Sequence, residues 1–145
     1  MKRVRMRANM KKEVVMLDQY DVKENETPEI VADKHHGSPY YHWVVMMLND
    51  ISDVNHDWVK STRQLQKYLL SKYTEIQLTE THHYEISQTS GDTTVMIEVE
   101  NSTYPSATIV TNYEYEVAIN ESKRKIDLLR NDYLGFFTEE FASLI

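Results

Sequence analysis

Cysteine is absent from this 145-residue sequence, and glycine and proline each occur only three times. The absence of cysteine excludes disulfides, thiolate zinc sites and thiol nucleophiles, and is typical of a protein made in a reducing cytoplasm. The three glycines are isolated, which excludes a glycine-rich loop that cradles phosphate. The longest apolar run, Trp43–Leu48, is far shorter than a membrane span. The N-terminus lacks an apolar segment, so no secretory signal is expected.

Charge is unevenly distributed along the chain. Residues 1–12 contain six of the sixteen lysines and arginines and no acidic residue, whereas the remainder contains all twenty-three acidic residues. Arg3, Arg5 and Arg7 alternate with apolar residues, which predicts a strand with one charged and one apolar face. Nucleic-acid binding is one interpretation, but the acidic remainder would repel phosphate. We favour docking of this basic arm on an acidic surface, either the chain's own or a partner's.

Start and stop signals for two helices stand next to each other in the sequence. Thr27 and Pro28 have the residue types preferred at the N-cap and first position of a helix. Gly37 occupies the position where a left-handed C-cap is usually needed. Ser38-Pro39 then begins a second helix by the same chemistry. Two helices joined so closely must fold back on each other, which predicts a compact strand–helix–helix unit.

The second helix carries more apolar surface than one small unit can bury. Val45 and Met46 lie off its main apolar stripe, and either the rest of the chain or another subunit could cover them. Trp43 lies on the stripe, which favours core packing over direct partner contact. The stripe comprises Tyr40, Trp43, Val44, Met47, Leu48 and Ile51.

The later sequence predicts a mixture of helices and strands. A capping box at Ser61–Gln64 begins a third helix, and alternating apolar residues predict strands at 76–78, 84–86 and 95–99, the last two joined by a hairpin turn at Ser90–Asp92. A helix at 112–123, a short strand at 126–129 and a final aromatic helix from Asn131 or Asp132 follow. Because an apolar chain end frays unless it is docked, the final helix is a candidate contact surface.

Residues that could carry catalysis do not form a recognisable motif. Serine, histidine and aspartate are present but in no nucleophile-elbow context. Zinc binding by histidines is disfavoured because their spacing is not that of helical metal ligands and no cysteine accompanies them. We therefore expect no catalytic, cofactor or metal site, and polar surface or interface histidines instead. The histidines are His35, His36, His42, His56, His82 and His83.

Residues 20–49 resemble a LysM domain. The LysM pattern runs from a strand ending in Tyr-x-Val, through a Gly-Asp-Thr-like triplet, to Ile-Ala in the first helix and asparagine at the end of the second. The sequence after Ile51 does not match the second LysM strand. The matching positions are Tyr20, Val22, Asn25–Thr27, Ile30, Ala32, Leu48 and Asn49.

A longer resemblance covers most of residues 3–145. The segments ETPEIVADKHHGSPYYHWVVMMLNDI, Asp57-Trp58 and NYEYEVAINESKRKIDLL, followed by a terminal aromatic helix, are similar to the baseplate wedge subunit of T-even-type contractile-tailed bacteriophages that carries a LysM-like domain. Its distinctive parts are the Gly37, Tyr41, Trp43, Val44 core and the Lys125–Leu129 strand.

This resemblance implies a structural virion protein of the tail baseplate, made in the host bacterial cytoplasm, that is not an enzyme and needs no cofactor. It would clamp neighbouring wedge subunits together and join them to the central hub and inner tail proteins, in six equivalent copies or a multiple. Neither nucleic acid nor membrane is an implied partner. The alternative is a LysM-type module that binds peptidoglycan glycan along residues 23–27 and 50–53, which are mostly acidic and offer no aromatic platform.

The sequence therefore predicts an α+β protein with a small LysM-like strand–helix–helix unit, a β-hairpin region and C-terminal helices. The expected divisions are a basic arm at 1–19, a LysM-like domain at 20–60 and a helix, hairpin and C-terminal helical region at 61–145. Excess apolar surface is expected where burial occurs only on assembly. The predicted partner-contact residues are Arg3, Arg5, Arg7, Tyr41, Val45, Met46, Trp58, Phe136 and Leu144.

Overall fold

The computed structural model describes residues 16–89, 91 and 94–144. These residues form two compact units, which we call unit 1 and unit 2. Unit 1 contains the described residues up to Ser61 and from Ser122 onward, and unit 2 contains Thr62–Glu121. The predicted α+β class is confirmed. The predicted division at 61–145 differs from this arrangement, because the segment after Ser122 returns to unit 1.

Unit 1 begins with a strand and two helices and is completed by a strand and helix from the C-terminal part of the chain. A short 3₁₀ turn, Pro39–Tyr41, leads directly into the second helix. The elements are β1 (Leu17–Asp21), α1 (Pro28–His36), α2 (His42–Leu48), α3 (Val54–Asp57), β5 (Lys125–Leu129) and α7 (Asn131–Leu144).

The predicted start and end of α1 are confirmed, whereas Ser38-Pro39 begins a 3₁₀ turn that precedes α2 and does not begin the α-helix itself. The Thr27 hydroxyl accepts a hydrogen bond from the N–H of Ile30, and Pro28 occupies the first turn of α1. Gly37 ends α1 in the left-handed region, with φ of 75°, and its N–H donates to the carbonyl of Asp33. The Ser38 hydroxyl then accepts from the N–H of Tyr40. Local capping chemistry thus fixes the reversal between the two helices.

Gly37→Ala is expected to lower the free energy of unfolding of unit 1 by roughly 1 kcal/mol, because a side chain at positive φ is strained. A Cβ at this position would meet no atom within 4 Å, so the cost is conformational and not steric. Gly135→Ala, in the interior of α7, is the matched control and is expected to stabilise by roughly 0.5–1 kcal/mol. Denaturant unfolding followed by tryptophan fluorescence measures both, since Trp43 and Trp58 both lie in unit 1. Equal effects of the two variants would contradict this explanation.

The sheet of unit 1 joins residues that are more than one hundred positions apart in the sequence. β1 and β5 pair antiparallel, with Leu17 opposite Leu129 and Asp21 opposite Lys125. The side chain of Asn49, at the end of α2, donates to the carbonyl of Asp127 and accepts from its N–H, at 2.8 and 2.9 Å. α2 is therefore held on β5 by a pair of hydrogen bonds as well as by packing.

Both sides of α2 are buried by the chain itself. Val45 belongs to one core cluster and Val44 to the other, so the back of this helix is covered within unit 1. Trp43 stacks on Phe137 of α7 and packs against Phe141 at a tilt, with ring centroids 5.8 and 4.6 Å apart, respectively. The first cluster comprises Val22, Val31, Ala32, Val45, Trp58, Val59, Ile126 and Leu128, and the second comprises Val44, Leu48, Leu129 and Phe137.

The described residues of unit 2 form three helices and a three-stranded antiparallel sheet in the order β3-β2-β4. The predicted pairing of the two hairpin strands is confirmed, whereas the strand predicted at 76–78 is wrong. Thr74 and Gln77 form a capping box there and begin a helix. No helix in the described ranges is both long and apolar enough to span a membrane. The elements are α4 (Thr62–Lys72), α5 (Glu75–Thr79), β2 (Thr81–Ser87), β3 (Met96–Val99), β4 (Thr108–Thr111) and α6 (Asn112–Ser122).

Candidate assembly surface

One face of the unit 2 sheet is apolar, and we call it the apolar face. Tyr84 of β2 lies opposite Val99 of β3 and Ile109 of β4, and Ile86 lies opposite Ile97. Side chains alternate between the two faces of a strand, and residues directly opposite each other share a face. The register therefore brings together Tyr84, Ile86, Ile97, Val99 and Ile109.

The apolar face is largely uncovered. Ile97 and Ile109 retain 40% and 53% of their accessible surface, and the other three residues are only partly buried. Within the described residues of unit 2, Leu69 is the one hydrophobic side chain that is buried, and neither core cluster draws a residue from this unit. An exposed apolar patch rimmed by polar residues marks an interaction site in soluble proteins.

The opposite face of the same sheet is acidic around its centre, and we call it the acidic face. Glu85 of β2 lies directly opposite Glu98 of β3, an arrangement in which like charges repel. His83 contacts Glu85, with Nε2 and Oε1 2.7 Å apart. Glu98 has no comparable hydrogen bond or ion pair within the described residues. The two faces thus differ sharply in chemistry.

An ion pair between a half-exposed lysine and a buried carboxylate links two helices of unit 2. The Glu116 carboxylate of α6 is almost fully buried; it pairs with Lys72 and accepts a 2.9 Å hydrogen bond from the Tyr73 hydroxyl. Burial alone would raise the pKa of Glu116, but these hydrogen bonds outweigh it and the pKa is lowered. The same hydrogen bond to Glu116 raises the pKa of Lys72. A carboxylate held ionised by two neighbours in this way connects α4 with α6.

The histidines make polar contacts that hold structural elements in place. His35 and His36, at the end of α1, contact the Leu129 carbonyl and the Asn131 side chain, at 3.0 and 2.8 Å. His82 stacks on Tyr115, with ring centroids 3.7 Å apart. In the part of the chain that the structure describes, no group of three or more histidine, aspartate or glutamate side chains is placed to hold a metal ion.

Two of the predicted partner-contact residues lie in the core of unit 1. Val45 is buried in the first cluster, and Trp58 is buried beside it and donates its indole N–H to the Glu26 carbonyl at 2.8 Å. Tyr41 packs against both clusters and is only partly exposed, as is Met46. Val45 and Trp58 therefore stabilise unit 1 and are not part of the surface that we propose for assembly.

The other predicted contact residues differ in position. Phe136 and Leu144 of α7 retain 75% and 64% of their accessible surface, while Phe137 on the same helix is buried. α7 thus packs one side into unit 1 and presents apolar side chains on another. The predicted contacts of Arg3, Arg5 and Arg7 fall on positions outside the described residues.

The apolar face was not among the predicted contacts. The alternation of Ile97 and Val99 indicated a strand with one apolar side, but β4, which carries Ile109, was not predicted. One feature of the sequence could have indicated that the apolar face is exposed: the described residues of unit 2 form no helix with an apolar stripe large enough to cover it. The helices of unit 2 bury only Leu69 among their hydrophobic residues, so they offer little to cover an apolar sheet.

Exposed apolar surfaces in both units are typical of a subunit that belongs to a larger assembly. A sequence profile of the phage family described as Base plate wedge protein 53 matches residues 6–107. Because the match covers more than half of the sequence, the chain belongs to the Base plate wedge protein 53 family. Among curated proteins, none matches this sequence.

Membership of this family defines the class of protein and its location. The chain is a structural protein of the phage virion, located in the tail baseplate, where it interacts with other baseplate proteins. The resemblance to a baseplate wedge subunit that the sequence suggested is thereby confirmed.

Proposed function

We propose that this protein clamps neighbouring wedge subunits together and joins them to the central hub, in six equivalent copies or a multiple of six. The observation that carries this proposal is the apolar face of unit 2, which is exposed in the isolated chain. Its hydrophobic side chains are buried only when another subunit covers them. Burial of one large apolar side chain contributes roughly 1.5–3 kcal/mol, so a covered face of this size supports stable association.

A second apolar surface lies on unit 1. Phe136 and Leu144 are exposed on α7, and Tyr40, which precedes α2, is also exposed. Each unit therefore has a surface of its own that a neighbour can bury. A subunit with an apolar surface on each of two units can contact two neighbours at once, which is what clamping requires.

We further propose that unit 1 is a LysM-like scaffold whose second strand is β5. Its order of β1, α1, α2 and β5 is the strand–helix–helix–strand order of a LysM domain, with unit 2 inserted before the final strand. This insertion accounts for the missing strand after Ile51. The segment 23–27, where a LysM glycan would bind, is engaged internally, because Glu26 accepts hydrogen bonds from Tyr20, Lys34 and the Lys23 N–H. We therefore favour a scaffold over a glycan-binding module.

Ile109→Asp is expected to reduce incorporation into the wedge strongly while leaving the protein folded. The new charge would have to be desolvated when a neighbour covers the apolar face, which weakens association by roughly tenfold or more. In free protein the side chain is half exposed and the charge remains hydrated. Co-purification with co-expressed wedge subunits measures incorporation, and circular dichroism measures folding.

Thr108→Asp is the matched control for this experiment. Thr108 is exposed and precedes Ile109 on the same strand, but it lies opposite Glu85 and so belongs to the acidic face. This variant adds the same charge without placing it on the apolar face and is expected to assemble nearly as well as the natural chain. Normal incorporation of Ile109→Asp would contradict the proposed role of the apolar face.

A further inference from the structure

The outer edge of β3 is open within the described residues. β3 pairs with β2 on one side, and the sheet order places it at the end of the sheet. Val95, Met96 and Ile97 are all exposed. An edge strand presents unpaired N–H and C=O groups that can pair with an added strand.

The two sides of this edge have a specific chemical pattern. Ile97 and Val99 lie on the apolar face, and Glu98 between them lies on the acidic face. Glu98 lies directly opposite Glu85, so two carboxylates face each other. The nearby His83 contacts Glu85 and not Glu98. A strand added to this edge would be stabilised by a cation beside Glu98 and by apolar residues on either side of that cation.

The chain contains a sequence with this pattern. Residues 3–7, Arg-Val-Arg-Met-Arg, alternate between cationic and apolar side chains. We propose that residues 3–7 of a second copy of this chain add as a strand to the edge of β3, with Val4 and Met6 extending the apolar face and arginines beside Glu98. This inference deepens the proposed function, on which it rests, because the baseplate must bring several copies together.

Charge selects β3 over the other edge of the same sheet. β4, the opposite edge, consists of Thr108–Thr111 and contains no acidic residue. It offers apolar contacts to an added strand but no carboxylate to an arginine. Addition of an arm from one copy to the edge of the next is a head-to-tail contact, and such contacts close into a ring when repeated around an axis.

The absence of cysteine makes this contact directly testable by disulfide trapping. Full-length protein with Ile97→Cys is mixed with full-length protein carrying Val4→Cys or Met6→Cys and is oxidised mildly. Because same-face neighbours on adjacent strands have Cβ atoms about 5 Å apart, at least one mixture is expected to give a disulfide-linked heterodimer on non-reducing gels. The matched control is Arg5→Cys, which the proposed pairing places on the opposite face and which is expected to cross-link roughly fivefold less.

Charge reversal provides the second part of the test. Glu98→Arg on the copy with Ile97→Cys is expected to reduce the heterodimer roughly fivefold, and Arg5→Glu on the arm copy is expected to restore it. Equal trapping of Arg5→Cys, or a yield indifferent to Glu98→Arg, would overturn the proposal. The trapping experiment uses purified copies of this chain without other wedge subunits. A negative result would therefore count against the contact between copies and not against the role of the apolar face, which the Ile109→Asp experiment tests.

Discussion

Val45→Asp is expected to unfold unit 1 instead of merely detaching it from a neighbouring subunit. Val45 is buried in the first core cluster, where it packs with residues of α1 and β5. Burying a carboxylate without a partner costs roughly 4 kcal/mol or more. Folded domains are stable by only about 5–15 kcal/mol, so this one change removes much of the total.

Tryptophan fluorescence during denaturant unfolding measures this effect, because both tryptophans lie in unit 1. Phe136→Asp is the matched control, since Phe136 is exposed and the new charge remains hydrated. It is expected to leave the unfolding midpoint nearly unchanged. If Val45→Asp unfolded at the same midpoint as the natural chain, that result would contradict the structure, in which this side of α2 is part of the core.

Glu26→Gln is expected to destabilise unit 1 by roughly 2 kcal/mol at neutral pH. The Glu26 carboxylate is almost fully buried and accepts hydrogen bonds from the Tyr20 hydroxyl, the Lys23 N–H and the Lys34 ammonium. Glutamine keeps the shape but removes the charge and one acceptor oxygen, so one or more donors lose their partner. The cost is modest for a buried carboxylate because Lys34 is half exposed and regains water when the pair is broken.

The same variant is expected to change how stability depends on pH. Burial alone would raise the pKa of Glu26, but the hydrogen bonds from Lys34, Lys23 and Tyr20 outweigh it and lower the pKa below 4.5. A lowered folded-state pKa means that the unfolded chain binds the proton first. The stabilisation is therefore complete above about pH 4.5 and is lost as the pH falls from there through the folded-state pKa.

Free energies of unfolding measured at several pH values down to the acid range test whether stability falls with pH in this way. The natural chain is expected to lose more stability than Glu26→Gln as the pH falls below 4.5, because only the natural chain has this carboxylate to protonate. The exposed Glu139→Gln is the control and is expected to follow the natural chain. Burial and the same hydrogen bond raise the pKa of Tyr20 to about 12, so the network stays intact through neutral pH. Parallel acid curves for the natural chain and Glu26→Gln would contradict this account.

Local signals in the sequence were sufficient to predict the helical pair. Thr27, Gly37 and Ser38 act on their own backbone neighbours, and such chemistry is visible in a short window of sequence. The strand predicted at 76–78 was wrong for a related reason. Apolar alternation at Ile76 and Leu78 predicts a strand, but Thr74 and Gln77 form a capping box that begins a helix there instead.

The long-range contacts could not be predicted from the sequence. Nothing within residues 17–21 specifies that β5, more than one hundred positions later, is their pairing strand. For the same reason, the sequence did not indicate what covers the side of α2 that carries Val45. Its partners in the core cluster include Ile126 and Leu128, which come from that distant strand. Whether an apolar residue is core or contact surface depends on the whole fold, and periodicity describes only one element at a time.

The pairing of β1 with β5 also has a consequence for how the protein is made. Translation proceeds from the N-terminus, so the first helices leave the ribosome well before Leu129 does. Until then Val22, Val31 and Val45 lack the residues of β5 that complete their cluster, and the non-local pairing makes this closing step slow. The nascent chain therefore passes through a stage in which apolar side chains are open to water, and it is at this stage that molecular chaperones are expected to bind it.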